Sequence, residues 1–138
     1  MHFPQVNYLA VLVAAIVNFI LGGLWYSKAL FATKWIALMG KSEEELKAKA
    51  APMPVLFIQA FICGLVVAWV LATVLNHFAP VTPLRGALVG ALCWLGFTAA
   101  TTYATAIFSS TPKGLWLINA GYDLVSFVLM GAILGAWR

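Results

Sequence analysis

The stretch "LWLINAGYDLVSFVLMGAILGAW", Leu115 to Trp137, runs for 23 residues and holds a single charged side chain, Asp123. Crossing the hydrocarbon layer takes about 20 mostly apolar residues in a helix, so this stretch reads as a transmembrane span. Working outward, three more runs meet the same requirement: Val6 to Tyr26, Val55 to Phe78 and Leu84 to Phe108. Over the whole chain of 138 residues, 64% are apolar and 9% charged, against roughly half and a quarter in soluble domains. A water-soluble domain is excluded on these figures.

The punctuation between runs fixes the fold class. Pro54 suits the first turn of the second helix, Thr82 with Pro83 reads as N-cap and first position of the third, and Pro112-Lys113-Gly114 separates the third from the fourth. Connections this short make neighbours antiparallel, so residues 1–138 are expected to form one all-α domain, an antiparallel bundle of four transmembrane helices. A closed barrel is excluded, since its strands would alternate polarity over about ten residues. The first run is read as a span and not a signal peptide, because "MHFPQ" carries no lysine or arginine and the apolar run exceeds a signal's h-region.

The net charge of +4 could suggest nucleic acid, but the lysines gather between apolar runs, where topology accounts for them. Lys28, Lys34, Lys41, Lys47, Lys49 and Lys113 fall on the side of the first and third loops, and only Arg85 and Arg138 on the other. Six against two puts those loops in the cytoplasm and both termini outside. A nucleic-acid role is set aside.

The segment of about residues 28–52 is the one part with soluble character. Phe31, Trp35, Leu38 and Met39 recur at helical spacing, which predicts an amphipathic helix lying in the interface, with Lys28 and Lys34 reaching toward head groups. Trp25, Tyr26, Lys28, Phe31 and Trp35 are accordingly the expected interface anchors. Ser42 to Glu45 fits a capping box, predicting a short charged helix to about Ala51.

Polar residues inside the spans fall on faces. Asn7, Asn18, Gly22 and Trp25 share a side of the first helix; Gly90, Trp94, Thr98, Thr101 and Thr105 form a stripe on the third; Asn119, Asp123, Ser126 and Met130 align on the fourth. Lipid offers such groups no partners, so these faces should turn inward and meet. Asp123 is placed about 5 Å from the middle of its helix at about 1.5 Å per residue. A charge at that depth costs about 2.5 to 3.5 kcal/mol, so the acid is neutral, paired or wetted. No lysine or arginine lies at its depth, which leaves Asn18, Asn119, Tyr122, Thr101 or Thr102 as partners. Asp123, Asn119, Tyr122, Ser126, Asn18, Thr98 and Thr101 therefore make up the candidate intramembrane site.

Glycines carry a second signal. Gly22 with Gly23, Gly86 with Gly90, and Gly131 with Gly135 allow close backbone approach. The Gly131 and Gly135 face points away from Asp123, leaving it for a neighbouring helix or a second protomer, and homo-oligomerisation is expected. Cys63 and Cys93 read as packing thiols, His77 as an interfacial cap, and no metal-ligand spacing or cofactor motif occurs.

"GGLWYSKALFATKW" at Gly22 to Trp35, "GALVGALCWLGFTAATTYATAIF" at Gly86 to Phe108 and "LINAGYDLVSFVLMGAILGAW" at Leu117 to Trp137 resemble the DUF1761 family, small bacterial integral membrane proteins of unknown function. The resemblance spans nearly the whole chain and implies four spans in a bacterial inner membrane. Family members often carry glutamate where Asp123 stands. It supplies no substrate and no catalytic residue.

Enzyme chemistry is not expected: there is no GxSxG, HExxH or phosphate loop, and Asp123 has no second intramembrane acid. Two function classes stand. One is a small oligomeric transporter or channel for a small solute or ion, with its polar site around Asp123. The other is a non-transporting scaffold or accessory protein that organises partners or lipids, its polar groups serving as interhelical glue.

Overall fold

The computed structural model describes residues 6–40, 44, 52–78 and 82–137. Among the described residues five helices carry the fold: α1 Tyr8–Trp25, α2 Ala32–Met39, α3 Met53–Leu75, α4 Pro83–Phe108 and α5 Lys113–Ala136. Four of them, all but α2, are long and apolar enough to cross a membrane. The observed bounds lie within three residues of the expected ones. The Ser42 and Glu45 capping box, the charged helix toward Ala51, and Lys41, Lys47, Lys49 and Arg138 fall outside the described residues.

Local chemistry explains the helix ends. Asn7 caps α1 by accepting from the Leu9 and Ala10 amides at 3.1 and 3.2 Å, and Thr82 caps α4 by accepting from Arg85 at 3.1 Å, with Pro83 in the first turn. Gly40 ends α2 at φ 69°, a left-handed conformation that glycine adopts without strain. In the α4–α5 turn Ser110 takes φ 56°; the neighbouring Ser109 and Thr111 hydroxyls hydrogen-bond at 2.9 Å and brace the bend.

Helix α4 is not uniform along its length. Within it, Trp94–Ala99 winds as a π-helix between the α-helical halves Pro83–Cys93 and Ala100–Phe108. Such a turn adds about one residue, so the half beyond it is rotated by about 100° from its extrapolated face.

Packing joins α3 to α1, α1 to α5, and α5 to α4, whereas α3 and α4 meet sparsely. The core sits in the half of the bundle away from the lysines, where Ala10, Ala14 and Ala68 are fully buried and Leu71, Leu75, Met130 and Leu134 close around them. Small residues bring α1 and α3 together, as expected where dispersion and not water exclusion drives helix association. Phe19 adds edge-on ring contacts to Phe57 and Phe61 at 5.8 and 6.0 Å. The outward side of α4, with Leu84, Leu88, Leu92, Leu95 and Phe97, is bare of protein and fits the acyl chains of a bilayer.

Between α4 and α5 the crossing is closer. A methyl group on Gly86 would overlap the Gly131 carbonyl oxygen, one on Gly90 the Phe127 carbonyl oxygen, and one on Gly135 would lie 2.5 Å from Thr82 O. The Gly131 and Gly135 face, expected to meet a neighbouring helix or a second protomer, is occupied within the chain by Gly86 and its neighbours on α4. Both motifs belong to one crossing because two backbones in van der Waals contact need glycine on each side.

Helix α2 lies across the lysine-bearing end. Trp35 meets the Tyr26 ring edge-on at 5.3 Å, and Phe31 stacks tilted on Trp25 at 4.8 Å. Gly114, at the start of α5, leaves room for Leu38: a Cβ there would stand 3.1 Å from its methyl.

Candidate functional site

The polar residues of α5 fan over two sides of the helix. At about 100° per residue, Asn119, Tyr122 and Ser126 lean toward α1, whereas Trp116, Ala120 and Asp123 lean toward α4. They build two different environments.

Facing α1, the network is closed. The Asn18 side-chain oxygen accepts from the Tyr122 hydroxyl at 2.9 Å and from the Ser126 hydroxyl, and the Asn18 backbone oxygen lies 3.1 Å from the same tyrosine. Ser126 is 4% exposed. Glycines admit these groups: a Cβ on Gly22 would stand 3.0 Å from the Tyr122 oxygen, and one on Gly64 would stand 2.9 Å from Asn18 Nδ2. One turn nearer the lysines, Tyr26 donates to Asn119 Oδ1 at 2.7 Å and the Trp25 indole donates to Ile118 O at 2.9 Å. Among the described residues every buried side-chain nitrogen or oxygen has a partner. Interhelical bonds of this kind contribute about 0.6 kcal/mol each, at most about 1.7.

Facing α4, the arrangement is open. A cleft of about 370 Å³ is lined by Thr101, Thr102, Thr105, Ser109, Thr111, Trp116, Asn119 and Asp123, together with Ala106 and Ala120. The half-buried Asp123 is the eleventh of 24 residues in α5, about 2 Å from the helix midpoint at about 1.5 Å per residue. Its carboxyl makes no hydrogen bond or ion pair with any described residue.

The hydroxyls of Thr101, Thr102, Thr105 and Ser109 have spent their hydrogens on backbone oxygens of α4. Thr101 donates to Phe97 O at 2.7 Å, Thr102 to Thr98 O at 2.6 Å, Thr105 to Thr101 O at 3.2 Å and Ser109 to Thr105 O at 2.9 Å. What they turn to a guest is oxygen lone pairs. The Trp116 indole, at 3.0 Å, takes up one of these on Thr102, and Tyr103 steadies that indole edge-on at 5.0 Å. Apart from the Asn119 amide nitrogen, the cleft presents carboxylate and hydroxyl oxygens, a surface for cations or protons.

The expected site residues therefore divide. Asn18, Tyr122 and Ser126 come together, Asn119 touches both environments, and Asp123 with Thr101 belongs to the cleft alone. Thr98 lines neither and contributes only its carbonyl. Gly23 has no heavy atom within 4 Å of where a Cβ would be, so it opens space without packing. Trp25 and Tyr26, expected as anchors in the aromatic belt, turn inward to hydrogen-bond with α5. Lys28 is exposed at the lysine-bearing end. Sequence reasoning missed Gly64, whose signal was its being the only glycine of the second span, and the cleft lining from Ser109 to Trp116.

A second concavity lies between α1 and α3 in the lysine-bearing half, a groove of about 720 Å³ bounded by Phe19, Gly22, Gly23, Leu56, Phe57 and Ala60, with Asn18, Tyr26, Trp35, Asn119 and Tyr122 also in its wall. Cys63 and Cys93 are free thiols. Among the described residues no three His, Cys, Asp or Glu side chains gather where they could hold a metal.

No curated protein and no solved structure matches the chain. A family model, described as a protein of unknown function (DUF1761), matches residues 9–135. That interval takes in the four spans but for Tyr8 and Ala136, with the closed network and the cleft, and the chain belongs to the DUF1761 family.

Proposed function

We propose that the chain is one protomer of a small oligomeric transporter or channel, non-enzymatic, that takes up a proton or small cation at Asp123. The observation that carries this reading is a carboxyl near the middle of a membrane span with no hydrogen-bond or ion-pair partner among the described residues, facing a cleft of hydroxyl oxygens. An acid at that depth is costly, and a purely structural acid would be expected to hold another helix, as Asn18 does. The cleft continues through Thr105, Ser109 and Thr111 to the lysine-bearing end, which gives water and ions a route to the carboxyl. Thr101 and Thr105 are exposed on its outer rim. Lipid satisfies no polar group, so a second copy covering that rim completes the site and makes homo-oligomerisation part of the proposal.

The scaffold reading draws on the closed network around Asn18, which holds α1 to α5 and leaves nothing for a ligand. Thiol labelling separates the two. In a chain with Cys63→Ala and Cys93→Ala, a cysteine introduced by Asp123→Cys should react with a water-soluble, membrane-impermeant maleimide from the lysine-bearing side, as Thr111→Cys does at the cleft mouth. Labelling at Thr111→Cys without any at Asp123→Cys means a dry cleft, and the scaffold reading then replaces this one.

A further inference from the structure

The groove between α1 and α3 is independent of the Asp123 cleft and differs from it in chemistry. It exists because side chains are missing: Gly22 and Gly23 on α1 and Ala60 on α3 leave a furrow walled by Phe19, Leu56 and Phe57. The hydroxyls along it are committed, Tyr122 to Asn18 and Tyr26 to Asn119, so the furrow offers hydrocarbon an apolar bed. From Asn18 to Tyr26 it runs eight residues, about 12 Å at about 1.5 Å per residue, most of the depth of one leaflet of a roughly 30 Å hydrocarbon core.

At the shallow end the character changes. Tyr26 and Trp35 form the rim, their rings 5.3 Å apart. Lys28 lies two residues beyond Tyr26 and Lys34 is next to Trp35, and both are exposed. Two ammonium groups on flexible stems can therefore reach head-group level beside a furrow with the depth of an acyl chain.

We infer that this groove binds one anionic phospholipid of the leaflet on the lysine-bearing side, an acyl chain lying along Gly22 and Gly23 and the phosphate held by Lys28 and Lys34. The charge at the rim selects the head group and the missing side chains admit the tail. A zwitterionic lipid fills the same furrow more weakly, because its own ammonium faces the two lysines.

Native mass spectrometry of the full chain in detergent, titrated with phosphatidylglycerol or phosphatidylcholine, tests this without a bilayer's own surface charge. The expected result is one tightly retained phosphatidylglycerol per protomer, bound about tenfold or more tightly than phosphatidylcholine, a preference of the size two surface lysines give. Lys28→Gln with Lys34→Gln should abolish the preference and leave weak binding of both lipids. Gly23→Leu, at a position with nothing within 4 Å of a new Cβ, should fold and lose both; Ala60→Leu fills the furrow from the other wall and serves if Gly23→Leu does not fold. Equal binding of the two lipids, or phosphatidylglycerol retention unchanged in a folded furrow-filling variant, overturns the inference. So does displacement of phosphatidylglycerol by an equimolar fatty acid, which would make a single-chain carboxylate the occupant.

Discussion

Asn18 and Asp123 are both polar side chains within apolar spans, and they differ in what their neighbours leave unpaired. Asn18 satisfies two hydroxyls, from Tyr122 and Ser126. Removing its oxygen strands the Ser126 hydroxyl and leaves Tyr122 only the Asn18 backbone oxygen, and a stranded buried group costs about 1 to 3 kcal/mol. Asn18→Ala should therefore lower the unfolding free energy in mixed micelles by about that amount, whereas Asp123→Asn should change it by less than about 0.5 kcal/mol, since no protein bond is lost. A loss on Asp123→Asn as large as that on Asn18→Ala would show that the carboxyl holds the bundle together. At this scale the sequence was readable where a residue's chemistry allows one outcome. Asn18 in a span had to find partners, and the helical repeat put it on the right face. Trp25 and Tyr26 were ambiguous, because an aromatic with one polar atom serves equally at head-group level or bonded to a neighbouring helix. Their bonds to Ile118 and Asn119 tie them to α5.

Helix α4 shows where periodicity holds and where it stops. Gly86 and Gly90 precede the π-turn, and the expected close approach is there, against Gly131, Gly135 and Phe127. Extending the same period past Trp94 put Thr98 and Thr101 on the inward face. The turn at Trp94–Ala99 shifts the register by about one residue, so Ala99 and Ala106 are buried, Thr102 reaches Trp116 and Thr101 moves to the rim. Nothing in the composition of "WLGFTA" separates this winding from an ordinary helix; the Trp94 indole bonded to Ala120 O at 2.9 Å is a tertiary contact that favours it. The glycine crossing makes a sharp prediction. Gly86→Ala forces a methyl into backbone and should destabilise by about 1 to 3 kcal/mol or more, whereas Gly23→Ala, with open space around it, should be neutral or slightly stabilising through helix propensity. Thermal denaturation in one detergent measures both, and equal effects would contradict the crossing.

Across the whole molecule, the order α3–α1–α5–α4 comes from which faces carry small or polar residues. α5 has both, so it contacts α1 on one side and α4 on the other. The count of spans could be read from length and apolarity alone, and the short helix between the first two from the spacing of Phe31, Trp35, Leu38 and Met39. The two concavities could not, since each depends on how far neighbouring helices stand apart. Because the cleft opens sideways at Thr101 and Thr105, a copy covering it should bring these residues near their counterparts: Thr105→Cys in a chain otherwise free of cysteine should give a cross-linked dimer in native membranes, while cysteine at lipid-facing Leu88 should not. Cross-linking equal at the two positions would remove the basis for a completed site. Uptake at Asp123 is tested most directly by ion and proton flux into proteoliposomes holding wild-type or Asp123→Asn protein at equal density. The expected result is flux above empty vesicles that falls about tenfold or more in Asp123→Asn, equivalent to about 1.4 kcal/mol, with the fold intact; absence of flux for the wild type, or equal flux for both, contradicts a transport role for the carboxyl.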